Sequence, residues 1–406
     1  MKFDKSSLYG IQSSLEGRRY SLFDLALWKN GLAFKKINFS ETGVPVIKIA
    51  ELNNGLGSTT AYTQQLFSDE VHICKGDLLF SWSGNPRTSI DIFRFELEEG
   101  WVNQHIFKVT PNEDIIDFDY FYFLMKYLKP YFVEIAINKQ TTGLGHVTIG
   151  DIKRMNLIVP SFGTQRNIVS ILKPIDDKIT YNKVINKNLE QQAQFLFREL
   201  FVDNVDPEWK PGIISDLGAV VGGSTPSKAK PEYYTESGIA WITPKDLSIN
   251  KSKFISHGEI DITELGLKNS SASILPEGTV LFSSRAPIGY IAIAAGEVTT
   301  NQGFKSVVPK PEIGTPFVYF FLKHNLPTIE GMASGSTFKE VSGSTMKKIP
   351  AIIPDAETLA RFNDFCSPIF AQQRILEEQN QSLASLQYNL LPKLMSGGID
   401  VSDIQL

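Results

Sequence analysis

The sequence predicts an α+β fold: two mixed, strand-rich domains related by a pseudo-twofold internal repeat and joined by two long helices that form an antiparallel coiled coil. Three observations carry this expectation. VNQHIFKVTP at 102–111 returns as TNQGFKSVVP at 300–309, and each follows a Phe-Ser turn, in KGDLLFSWSG at 75–84 and EGTVLFSSRA at 277–286. The frame continues upstream, where GVPVIKIAEL (43–52) falls on GIAWITPKDL (238–247), and downstream, where IKRMNLIVPSFGTQ (152–165) falls on MKKIPAIIPDAETL (346–359). A heptad seam then follows each copy. A duplication of roughly 195 residues that keeps its apolar positions and varies its loops fixes the architecture before any local reading.

Within each copy, short β-branched or aromatic runs bounded by Gly, Pro, Asn and Ser read as strands: VPVIKIA, DLLFSWS and HIFKV in the first, AWIT, TVLFSS and YIAIAA in the second. A helical piece follows the Asn-Gln element, DFDYFYFLMKYLKPYFVEIAI in copy one and TPFVYFFLKHNLPTIEGM in copy two. Next come the seams. Ile175, Ile179, Asn182, Asn186, Leu189, Ala193, Leu196 and Leu200 advance by alternate steps of four and three, as do Ile369, Gln373, Leu376, Asn380, Leu383, Gln387, Leu390 and Leu394. Pro174 and Pro368 precede the two runs, where a helix start or a kink is expected. At about 1.5 Å per residue such helices make rods on the order of 40 Å or more. A seam of that length needs a partner, and the other copy is the nearest one. Asn186 and Asn380 hold equivalent seam positions and are expected to fix register at some cost in stability. The expected segments are 1–163 and 207–353 for the two domains, 164–206 for the central helix, and 354–406 for the C-terminal helix and tail.

Composition narrows the function. A chain of 406 residues suffices for two cores, and no apolar stretch is long enough to span a membrane. MKFDKSSLYG has no apolar signal core, and two cysteines suit a reducing compartment, so a cytoplasmic location is expected. There is no GxxxxGK[ST] and no GxGxxG after a strand, and Asn85-Pro86-Arg87 fails as an amino-methyltransferase element. The five histidines lack metal-ligand spacing, so no metal site and no catalytic centre are expected. Two diverged copies suit the binding of two things better than the building of one active site. The net charge of −4 is awkward for a protein that grips phosphate. Either the chain does not bind nucleic acid or partners supply positive charge.

The order of motifs resembles the DNA-specificity subunits of type I restriction-modification systems over almost the whole chain. The carriers are a G-x-x-W/V-I…E/D-L element, a Gly-x-x-L/V-L-F-S element and an Asn-Gln element, each set closed by an I-P or V-P step into a long helix. The resemblance implies two target-recognition domains, each reading one half of a split, asymmetric double-stranded DNA sequence, with helices that set the unread gap. It also implies two modification (methyltransferase) subunits docked around the helices and restriction/translocase subunits beyond them. On that reading this chain is no enzyme and holds no cofactor: S-adenosylmethionine, ATP and Mg belong to the partners.

Candidate DNA-binding residues follow from where the copies diverge. Ser83, Asn85, Arg87, Ser284 and Arg285 come after the Phe-Ser turns, and Arg87 and Arg285 suit either a bidentate guanine contact or a phosphate. The loops TTGLGH (141–146) and SGSTFK (334–339) contribute Thr141, Thr142, His146, Thr337 and Lys339, as phosphate neighbours or plain surface. Lys48, Glu51, Lys245 and Asp246 follow a buried-looking strand and point into a groove or form a salt-bridged rim. Asn103-Gln104 and Asn301-Gln302 are shared by both copies, hence more a scaffold than a discriminator. Trp82 and Trp241 are core. Two other readings stay open: the recognition chain of a different methyltransferase or restriction complex, and a coiled-coil scaffold that binds proteins.

Overall fold

In the computed structural model, which describes residues 12, 14–140, 143–335 and 339–402, the strand-rich runs of each copy become a central sheet with a helix laid across it. The sheets are antiparallel, except that in the second copy the edge strand Phe254–Ile255 runs parallel to Ile288–Ala294. Two compact units result. One takes the residues up to Lys178 together with those from Ser382 onward; the other is Ile179–Gln381.

In the first unit the sheet order is Ala26–Asn30, Ile106–Pro111, Leu78–Ser81, Asp91–Arg94. Leu78–Ser81 is buried on both faces, which explains why it reads as a continuous apolar run instead of an alternating one. Phe80, fully buried, contributes about 2–3 kcal/mol relative to exposure. The helix Phe118–Asn138 starts at Asp117, whose carboxylate accepts from the backbone N–H groups of Asp119 and Tyr120, and it packs on Trp28, Leu78, Phe80 and Val109. A second small sheet sets Val44–Ile47 parallel to Glu99–Val102.

The other unit repeats this plan. Its sheet runs Gly218–Gly222, Lys305–Pro309, Val280–Ser284, Ile288–Ala294, Phe254–Ile255, and Trp241–Ile242 lies parallel to Thr299–Thr300. The segment read as one helical piece is two helices, Thr315–His324 and Leu326–Gly331. They part at Asn325, and Pro327 falls in the first turn of the second helix, where its missing N–H is not needed. The helix Phe118–Asn138 of the first unit runs through Pro130 unbroken.

The long helices are Phe162–Arg198 and Ala356–Met395. Both begin well before Pro174 and Pro368, so of the two expectations, a start or a kink, the start is excluded and each proline sits inside its helix. The seam positions are buried or half-buried in both helices, while Tyr181, Val184, Phe195, Leu386 and Tyr388 lie off the seam and are exposed. In the unit Ile179–Gln381, Asn182 Nδ2 donates to Asn380 Oδ1 (2.9 Å) and to Gln379 Oε1 (3.3 Å), and Gln373 Nε2 donates to the Asn186 carbonyl (3.1 Å). In the first unit, Gln387 Nε2 donates to Asp176 Oδ1 (3.2 Å). Within Ile179–Gln381 the partners descend one segment as they ascend the other. The amide that meets Asn380 is thus Asn182, while Asn186 accepts from Gln373 through its backbone carbonyl and its Oδ1 is buried with no hydrogen-bond partner among the described residues. Among those residues no helix is long and apolar enough to cross a membrane.

Candidate nucleic-acid interface

Three segments converge on one face of each unit: the exit from the Phe-Ser strand, the Asn-Gln turn and the loop before the last strand. The Asn-Gln turn is anchored first. Asn103 N–H donates to the Ile47 carbonyl and Asn301 N–H to the Ile242 carbonyl, both at 3.0 Å. Each turn lies so close to a glycine of an earlier segment that a Cβ on Gly31 would stand 2.2 Å from the Asn103 carbonyl oxygen, and one on Gly223 2.0 Å from that of Asn301. Asn301 Oδ1 accepts from Gly303 N–H (2.8 Å), and Gln302 accepts from the Thr225 hydroxyl. The shared Asn-Gln pair is a scaffold element, as its sharing suggests.

The turn then holds the strand exit. Trp82 N–H donates to the His105 carbonyl (3.3 Å), and Ser284 N–H to the Gly303 carbonyl (2.7 Å). The late loop closes on the same residue, with Val147 N–H donating to the Trp82 carbonyl (2.8 Å) and Val341 N–H to that of Ser284 (3.0 Å). One backbone relay therefore recurs in both units. Next to it sits a cross-strand pair: Ser83 opposite His146 in the first unit, Arg285 opposite Glu340 in the other. Ser83 Oγ lies 3.1 Å from His146 Nδ1, and Arg285 Nη1 lies 3.4 Å from Glu340 Oε2.

The remaining candidates divide by what they touch. Glu51 is buried and accepts from Lys48 N–H (3.0 Å) and the Thr60 hydroxyl (3.2 Å). Asp246 is likewise buried, accepting from Thr243 N–H (2.7 Å), the Thr243 hydroxyl (2.6 Å) and Glu259 N–H (2.8 Å). Both are helix-capping carboxylates, not groove-facing groups, and the expectation for them is corrected. Ser284 is buried too, its hydroxyl donating to the Gly303 carbonyl (3.1 Å), so it also leaves the set. Asn85 caps the short helix Pro86–Ser89 through Arg87 N–H (3.0 Å), which leaves the Arg87 side chain exposed beside it. Lys245 pairs with Glu259, Lys48 lies over the Phe39 ring at 5.5 Å, and Lys339 is exposed. Thr141, Thr142 and Thr337 lie outside the described residues. Trp241 is core, whereas Trp82 is half-exposed, stacked on Phe107 and donating to Asn30 Oδ1 (3.1 Å).

Sequence reading missed Glu340, and it missed a buried charged cluster away from this face. Lys253 pairs with Glu190, donates to Gln373 Oε1 (2.6 Å) and stands 3.9 Å from the centre of the Phe370 ring. Glu377 accepts from the backbone N–H groups of Lys253 (2.9 Å) and Phe254 (3.0 Å). Burial pushes the Lys253 ammonium down, with Glu190 opposing; burial raises Glu190, but Lys253 and Lys323 outweigh it and hold the carboxyl low. No sequence signal marks this cluster, since its members are scattered over nearly the whole unit.

Comparison with known proteins agrees with this twofold plan. The family model for the type I restriction modification DNA specificity domain matches twice, at residues 18–191 and 207–385. The MjaIX specificity subunit of Methanocaldococcus jannaschii is 39% identical over 191 residues, which cover 45% of this chain and 44% of that relative's length. The HindI specificity subunit of Haemophilus influenzae is 25% identical over 80% of this chain and 87% of its own. A crystal structure of the type I system S subunit from M. genitalium has the same fold, with a TM-score of 0.56 at 14% identity over 94% of this chain and 96% of that one. Two family domains in tandem, each built on the same relay, mean that the chain belongs to the type I restriction-modification DNA specificity family.

Proposed function

We propose that this chain is the non-catalytic recognition subunit of a type I complex, each repeat reading one half of a split, asymmetric double-stranded DNA sequence. The observation that carries the reading is the recurrence of one backbone relay with different side chains displayed on it. A constant frame suits positioning, and variable side chains suit base discrimination. The recognition domains would be 1–163 and 207–353, and the segments 164–206 and 354–406 an antiparallel coiled coil that sets the unread gap. The opposite order of the Asn182–Asn380 and Gln373–Asn186 bonds supports that pairing.

Two modification subunits would carry S-adenosylmethionine and methylate adenine, and restriction/translocase subunits would use ATP and Mg, all in the cytoplasm. Tyr181 at 64%, Phe195 at 70% and Tyr388 at 80% exposure give the helices apolar ground for docking subunits. The net charge of −4 fits a clamp whose positive charge comes from those partners.

Exchange of residues 207–353 for another recognition domain should change one half of the recognised sequence only, read by mapping modified adenines. Loss of specificity in both halves would contradict independent reading. A gel shift with and without the modification subunits should show tight, sequence-dependent binding only when they are present.

A further inference from the structure

The frame that the repeats share displays, at one cross-strand position, side chains of opposite chemical character. Two residues past each Phe-Ser step, Ser83 faces His146 in one repeat and Arg285 faces Glu340 in the other. Resting on the half-site reading above, we propose that this pair is a specificity-determining position of each repeat, that Arg285 reads a guanine, and that Glu340 is the residue positioning it.

An arginine on a loop loses up to about 2 kcal/mol of rotamer freedom when it is fixed, so a reader that is held beforehand discriminates better than a free one. Glu340 supplies the hold. One carboxylate oxygen takes Arg285 Nη1 at 3.4 Å; the other takes Lys305 Nζ at 3.5 Å. The Lys305 side chain is only 16% exposed, so the carboxylate is anchored from behind, while the Arg285 side chain remains 37% exposed. The backbone is fixed as well. Ser284 gives both its N–H and its hydroxyl to Gly303, and Ala286, at φ 49°, turns the chain immediately after the arginine. With one nitrogen engaged, the rest of the guanidinium fork is available for the paired O6 and N7 acceptors of guanine.

The acidic partner itself argues for this role. A bare carboxylate on a surface that meets phosphates is repulsive, and its presence makes sense where it aims a cation. The first repeat carries neither charge at this position: Ser83, nearly buried, holds His146 through Nδ1, and an imidazole offers no two-pronged donor edge. The two halves of the target are therefore read differently at equivalent places.

The test uses the full chain assembled with its modification subunits and a panel of duplexes carrying every base at each position of both half-sites. Arg285→Lys and Glu340→Gln should each lower discrimination at one position of one half-site by roughly tenfold or more, leaving the other half unchanged. Arg285→Lys should keep its affinity for unrelated DNA, and Glu340→Gln its unfolding midpoint. Wild-type discrimination in Arg285→Lys would overturn the proposal, because a point charge on phosphate would then suffice. So would unchanged discrimination in Glu340→Gln. An unmutated assembly with no split-site preference at all would sink the half-site reading and this pair with it, an outcome distinct from a failure of the variants alone.

Discussion

Asp151 shows how much one carboxylate can organise. It accepts from Thr148 N–H (2.8 Å), the Thr148 hydroxyl (2.6 Å), Lys139 (2.6 Å to Oδ1) and Arg154 (2.6 Å), and so fixes the start of the helix Ile149–Arg154 beside the late loop. Burial alone would raise its pKa, but the hydrogen bonds from Lys139, Thr148 and Arg154 prevail and hold it at about 2, against an ordinary 3.8. A depressed carboxyl stabilises the folded state in full above its unfolded value, and this contribution fades as pH falls from 3.8 towards about 2. Asp151→Asn should therefore flatten the acid limb of the stability curve in that window, measured by thermal unfolding against pH. An unchanged acid limb would show that the carboxylate is not held in this way. Legibility at this scale was uneven. Thr243-x-x-Asp246 is a capping pattern visible in the sequence, yet an acidic residue after a buried strand reads equally well as a groove-facing group. Burial separates the two, and burial needs the fold. Arg285 was found by divergence between copies, but its partner Glu340 is 55 residues away and only strand pairing brings them together.

At the level of elements, the long helices were the most legible feature, because a seam kept in two copies exceeds chance. Of the start and the mid-helix kink expected at Pro174 and Pro368, the start is excluded, because a proline inside a helix forfeits one backbone bond, a loss a long helix packed along its length absorbs. The repeat makes Asn186 and Asn380 equivalent but does not say which residue each one meets; the antiparallel contact puts Asn182 opposite Asn380. Asn182→Leu alone leaves the Asn380 amide without its buried partner and should cost about 1–3 kcal/mol in denaturant unfolding. The double variant Asn182→Leu/Asn380→Leu should recover that loss while tolerating targets of more than one gap length. If the double variant is as unstable as the single one, the amides contribute more than register.

For the whole molecule, duplication gave the architecture, while net charge pointed away from DNA until partners were considered. Charge summed over a chain says little about a surface completed by other subunits. Insertion of one heptad near Asn186 should lengthen the unread gap and leave both half-site sequences intact; altered bases within a half would count against helices as a ruler. A chain stopped after Gln381 should keep the unfolding transition of the unit Ile179–Gln381 and lose that of the other, followed by two-transition calorimetry.

That last expectation follows from Leu394, Met395 and Val401, which fill the core beneath Phe118–Asn138, and from Asn167, which donates to the Val401 carbonyl at 2.8 Å. During synthesis the residues up to Lys178 must wait for those from Ser382 onward. The later repeat has all its parts as soon as Gln381 leaves the ribosome, whereas the earlier one stays open until Leu394, Met395 and Val401 emerge and seal it. Order of birth and order of completion are thus reversed in this protein.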